Sequence, residues 1–123
     1  MSGQLVLVAD DDDDILLLVT TRLRRDGFEV IQARDGDEAL DLAFARRPAI
    51  AVLDVGMPGL DGLEVVRQLR ADDATKAMRV ILLTAKAQES DVRRGFEAGA
   101  DAYVKKPFSP ADLSARVQQL AES

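Results

Sequence analysis

The sequence predicts a three-layer α/β sandwich, (βα)5, with five parallel strands and helices on both faces. Short apolar runs alternate with longer amphipathic segments along the whole chain. Two of the runs, "IAVLD" (50–54) and "VILLT" (80–84), are apolar without interruption until their last residue. That is how strands covered on both faces read. Finally, polar residues leave the runs at the same end: Asp10 after the first, Asp54 closing the third, Thr84 closing the fourth, Lys105–Lys106 after the fifth.

The first strand is placed at Gln4–Ala9, and a helix follows from about Asp14 to Arg25, ending at Asp26–Gly27. Its wheel gives a stripe of Ile15, Leu18, Val19 and Leu23. A second strand, Phe28–Ala33, leads to a helix at about Gly36–Ala45, with Ala39, Leu40, Ala43 and Phe44 on one side and Arg46–Arg47–Pro48 as its stop. The third strand is Ile50–Asp54, and its helix, Gly62–Ala71, carries Leu63, Val66 and Leu69. Strand four, Arg79–Thr84, precedes a helix at Glu89–Ala98 with Val92 and Phe96 inward and Gly99 as C-terminal stop. The last strand is Ala102–Val104. "SPAD" then opens the last helix, with Ser109 as N-cap, Pro110 in the first helical position and Leu113, Val117 and Leu120 at helical spacing.

Composition narrows the function. The 123 residues suit one domain, with its core at about 4–120. At 47% apolar and 31% charged the chain is globular rather than disordered. Without cysteine it forms no disulfide or thiolate metal site, which fits a cytoplasmic protein. No apolar run approaches the roughly 18 residues that cross a bilayer, and "MSGQ" has no basic, apolar leader pattern. A net charge of −6 argues against direct nucleic-acid binding. Histidine is absent, so the chain holds no phosphohistidine of its own.

In an open parallel sheet the loops at the carboxyl ends of the strands form the binding crevice. Four segments therefore bring carboxylates, a hydroxyl and an ammonium to one rim. Like charges this close repel, by about 4 kcal/mol per pair at roughly 4 Å and an effective dielectric near 20. A hard divalent cation with oxygen ligands relieves that at neutral pH, and Mg2+ is the natural choice. Metal, lysine, hydroxyl and a carboxylate nucleophile are the parts that phosphoryl transfer needs.

These residues resemble the receiver domain of two-component response regulators. "VLVADDDDDI" is similar to that family's first strand and acidic pair, "IAVLDVGMPGLDGLEV" to its phosphoacceptor strand and loop, "VILLTA" to its switch segment and "GADAYVKKPFSPADL" to its closing lysine motif. Together they cover about Leu5 to Leu120 in the family's order. The resemblance implies a flavodoxin-like sheet of order 2-1-3-4-5. It implies Asp54 as phosphoacceptor, Asp11 as direct Mg2+ ligand, Asp10 as water-mediated ligand and the Gly56 carbonyl as a further one. It also implies Lys106 on a phosphoryl oxygen, Thr84 and Tyr103 as switch pair, and a cis Lys106–Pro107 bond. Partners implied are a histidine kinase or histidine phosphotransfer protein, a downstream effector, and a possible phosphorylation-linked dimer, with no direct nucleic acid or membrane. The chain is then a switch that turns over no external substrate.

Two positions depart from the family's habit. Asp12, Asp13 and Asp14 stand where an acidic residue and a proline are frequent, and Gly56 stands where a side chain is more usual. A bare Gly56 is expected to give water freer access to a phosphorylated Asp54. Asp13 and Asp14 are expected at the start of the first helix, whose dipole favours them, whereas Asp12 has no assignment. Asp10, Asp12 and Asp14 imitate alternating calcium ligands, but Ile15 replaces the turn glycine and Thr21 the final glutamate of an EF-hand. An Mg2+-dependent aspartyl phosphatase is a rival that lacks support in a second acidic pair or a cap insertion, and a degenerate, unphosphorylated receiver is another. Thr84 and Tyr103 also read as ordinary strand-end and packing residues, and Lys105 as a solvated lysine. Leu17, off the apolar stripe, reads either as a single exposed leucine or as a contact for the helical phosphodonor.

Overall fold

The structure is a computed structural model that describes residues 3–85 and 88–122; Met1 and Ser2, at the start of "MSGQ", lie outside the described residues. Along β1 (Leu5–Ala9), Val6 and Val8 enter one core while Leu7 and Ala9 enter the other. A strand covered on both faces has no solvent side, so every position is apolar. β3 (Ile50–Asp54) and β4 (Arg79–Thr84) divide in the same way: Ile50, Val52, Ile81 and Leu83 go to one side, Ala51, Leu53, Val80 and Leu82 to the other. With β2 (Glu29–Ala33) and β5 (Ala102–Lys105) they make one parallel sheet, ordered β2-β1-β3-β4-β5. This is the predicted class and order, and each strand lies within a residue or so of its predicted bounds.

α1 (Asp13–Arg25) and α5 (Pro110–Glu122) cover the valine and isoleucine face. α2 (Gly36–Arg46), α3 (Gly62–Ala71) and α4 (Glu89–Ala98) cover the other. Four of the helices, α1, α2, α3 and α5, start where polar caps supply acceptors for free N–H groups, whereas Gln88 at the start of α4 makes no side-chain cap. Asp12 is the N-cap of α1: its carboxylate accepts from the N–H of Asp14 at 2.9 Å and of Ile15 at 3.3 Å. Asp35 and Asp61 cap α2 and α3 in the same manner. Ser109 Oγ accepts from the Asp112 N–H at the start of α5. Gly99, at φ +115°, stops α4 in the left-handed conformation.

Three helix faces differ from expectation. On α1 the buried stripe is Leu16, Val19, Thr20 and Leu23, with Ile15 partly buried and Leu18 46% exposed. In a run of five apolar residues several stripes fit the helical period, and the docked orientation selects one of them. Thr20 belongs in it because its hydroxyl accepts from Gln32 Nε2 at 2.9 Å. On α4, Phe96 is 47% exposed and the small Gly95 and Ala98 face the sheet. A Cβ on Gly95 would lie 2.8 Å from the Tyr103 ring, so close packing there requires glycine. On α2, Ala39 and Ala43 are buried and Leu40 and Leu42 pack beside them, while Phe44 is only half-buried.

This topology places the ends of β1, β3, β4 and β5 side by side. At the other end of β4, Arg70 donates to the carbonyls of Gly99, Lys76 and Met78 and pairs with Asp101 at 3.0 Å, tying α3 to two loops.

Candidate functional site

Asp10 follows the last residue of β1, and Asp54 is the last residue of β3, the strand beside it. Both carboxylates are buried, Asp10 fully and Asp54 to within 6% exposure, whereas Asp11 is exposed. One carboxylate oxygen from each of the three lies within 4.8 Å of the others. Lys106, just past β5, donates through Nζ to Asp10 Oδ2 at 2.8 Å and lies 3.2 Å from Asp54 Oδ1. The Asp12 N–H donates to Asp10 Oδ1 at 2.9 Å. Asp12 thus caps α1 through its side chain and orients the acidic cluster through its backbone.

The electrostatics follow from this crowding. Burial pushes the Asp54 carboxyl above the usual carboxylate range, and the Asp10 charge adds to that; Lys106 and the Gly56 N–H hydrogen bond work against it. For Lys106, burial alone would lower the pKa. The hydrogen bond to Asp10 and the charges of Asp54 and Asp10 outweigh it, so the net shift is upward. Lys106 is therefore a firmly held cation between two carboxylates.

Around Asp54 the β3–α3 loop is fixed by glycines. A Cβ on Gly62 would meet the Asp54 carbonyl oxygen at 2.6 Å, and one on Gly36 would overlap the Leu60 carbonyl oxygen. Neither approach tolerates a side chain. At Gly56 the opposite holds: a Cβ there would meet only Asp54 Oδ2, at 3.9 Å. A cavity of 520 Å³ extends from Asp54 past Gly56 and the buried Thr84 to Tyr103, Asp91 and Arg94. The Tyr103 ring packs on Phe96 with centroids 6.5 Å apart. The Lys106–Pro107 peptide is cis.

Asp10, Asp11, Asp54, Gly56, Thr84, Tyr103 and Lys106 thus belong to one rim. Leu17 does not: it is 66% exposed on α1 and lines a shallow groove of 390 Å³ with Leu18, Thr21, Arg22 and Pro110. Sequence reasoning missed the role of Asp12, although aspartate is a favoured N-cap and five in a row conceal which one serves. It also missed Asp91 and Arg94, whose nearness to Asp54 depends on how α4 docks. The all-oxygen set of Asp10, Asp11 and Asp54 suits a hard divalent cation.

The family model of the response regulator receiver domain matches residues 6–118. The chain belongs to the response regulator receiver domain family. This receiver is 45% identical over 115 residues to the alkaline phosphatase synthesis transcriptional regulatory protein PhoP of Bacillus subtilis, a match covering 94% of the chain and 47% of that protein. It spans about half the length of the curated relatives it matches. The receiver domain of Francisella response regulator 1452 superposes with a TM-score of 0.92 at 35% identity, covering 98% of each chain. The receiver domain of the Pseudomonas aeruginosa sensor histidine kinase PA1611, solved with a magnesium ion in its active-site cleft, gives 0.91 at 30% identity, covering 99% of this chain and 100% of that one. Receiver domains are signalling domains, and no helix of the described residues is long and apolar enough to cross a membrane.

Proposed function

We propose that this receiver, a single domain with its core at about 4–120, accepts a phosphoryl group on Asp54 from a phosphohistidine of a histidine kinase or phosphotransfer protein. One observation carries the reading: the Asp54 carboxylate ends a buried strand within 4.8 Å of the Asp10 and Asp11 oxygens and 3.2 Å from the Lys106 ammonium. Asp10, Asp11, Asp54 and the Gly56 carbonyl would hold Mg2+, which when bound supplies positive charge opposite the phosphoryl oxygens.

The chain's own groups do the rest. Asp54 presents a carboxylate oxygen as nucleophile, and its buried backbone keeps that oxygen pointed at the rim. Lys106 gives its ammonium to the transferred group while remaining paired with Asp10. The Thr84 hydroxyl donates to a phosphoryl oxygen, and Tyr103 repacks behind it. That alters the face made by α4, β5 and α5, and so shifts a two-state population toward binding a downstream effector or a second receiver. The contacts that differ between the states are those to the phosphoryl group. No external substrate is turned over, and the reaction belongs to the cytoplasm. Leu17, exposed on α1 beside Leu18, serves as a contact for the helical phosphodonor; Leu17→Glu is expected to slow transfer from the kinase.

Incubation with acetyl phosphate and Mg2+ should add the mass of one phosphoryl group, which Asp54→Asn and EDTA both abolish. Uptake that persists in Asp54→Asn would refute the assignment.

A further inference from the structure

The cavity over Asp54 has two cationic side chains on its wall among the described residues, Lys106 and Arg94. Lys106 is engaged with Asp10 and Asp54. Arg94, one turn into α4, lies 3.2 Å from Asp91 through Nη2, and its side chain is 65% exposed, against 19% for Asp91. A guanidinium has five N–H donors, so one carboxylate contact leaves most of them available. Gly56 adds no side chain to the same wall.

Anything that brings a phosphoryl group here is an anion entering an acidic hollow. Asp54, Asp61 and Asp91 all line it, and the carboxylates of Asp10 and Asp11 lie close to that of Asp54. We infer that Arg94, oriented by Asp91, is a specificity-determining cation for small anionic phosphodonors of the acyl phosphate class. It holds a donor oxygen at the α4 wall while the phosphorus approaches Asp54. The inference rests on Asp54 being the phosphoacceptor. At 520 Å³ the cavity has ample room for an acyl phosphate, and a bidentate guanidinium contact suits a phosphate or carboxylate. In the transfer, an Asp54 carboxylate oxygen forms a bond to phosphorus. The bond from phosphorus to the acyl oxygen breaks, and its electron pair leaves on the carboxylate product. No proton moves, and the total charge is unchanged.

Arg93 provides a matched control. It is the neighbouring arginine, pairs with Glu89 at 3.7 Å and is not part of the cavity wall. Removing either arginine changes the net charge equally, so a difference between them isolates position from overall attraction. The experiment follows initial rates of Asp54 phosphorylation against acetyl phosphate concentration at saturating Mg2+. Arg94→Ala should raise KM about threefold to fivefold, the size of one partly exposed charge contact, with little change in maximal rate. Arg94→Lys should recover part of the loss, and Arg93→Ala should leave KM within about twofold. Equal KM values for Arg94→Ala and Arg93→Ala, with normal uptake by the unsubstituted chain, overturn this inference alone. An unsubstituted chain that takes up no phosphoryl group overturns the reading of Asp54 and this inference with it.

Discussion

Asp10, Asp11 and Asp12 are consecutive and chemically identical, yet each has a different task. Asp10 is fully buried against Lys106, Asp11 is open to water beside it, and Asp12 turns to cap α1. Removing that cap with Asp12→Ala should lower unfolding free energy by about 1 kcal/mol, read as a shift of the urea midpoint at constant slope. Asp54 acts against stability. Its folded pKa lies above the ordinary 3.8, so between those two values the folded chain binds more protons than the unfolded one. Stability therefore falls as pH rises through that window, and the penalty is complete above it. In EDTA near neutral pH, Asp54→Asn should unfold at higher urea than the unsubstituted chain. The difference should shrink as pH approaches 3.8. A midpoint that is lower at neutral pH would contradict the burial argument.

At the scale of elements, the joint between β3 and α3 limits what the site can tolerate. The first residue of α3, Gly62, touches the peptide of the last residue of β3, Asp54. Gly62→Ala must move one or the other, because backbone yields less than a flexible side chain. A loss of about 1–3 kcal/mol of stability is expected, together with slower phosphorylation of Asp54, measured by denaturation and by initial rates on the same sample. On the opposite face, α1 and α5 are joined by polar groups. Asp26 accepts from Ser114 Oγ and pairs with Arg22 at 2.9 Å, and its carboxyl is held below the usual range by the Ser114 hydrogen bond first and by Arg22 next. Beneath that bridge lie Leu113 and Val117, which join the two helices to the same apolar core.

For the whole molecule, two cores share one sheet, and the site lies at the edge common to both. A ligand that binds the folded site therefore stabilises the entire chain by mass action. With Mg2+ at about a hundred times its dissociation constant, the gain should be about 2.7 kcal/mol. Thermal denaturation in Mg2+ and in EDTA measures it. Asp11→Asn, which removes an exposed carboxylate from the cluster without disturbing either core, should lose most of that gain. An undiminished gain in that variant would remove Asp11 from the ligand set.

The sequence by itself determined the sheet, its order through the family resemblance, and the polar residues at the strand ends. Strand identity here depends on local composition: residues covered on both faces must be apolar, and the first polar residue marks the exit. It also named Asp10, Asp11, Asp54, Thr84, Tyr103 and Lys106, which the tertiary structure gathers at one rim. Only the tertiary structure decided how each helix is rotated about its axis. Leu16 rather than Leu18 is buried on α1, Gly95 rather than Phe96 meets the sheet on α4, and Arg94 reaches the cavity over Asp54. Periodicity gives the width of an apolar stripe. Which residues fill it depends on the surface the helix meets, and that surface is built from residues distant in sequence.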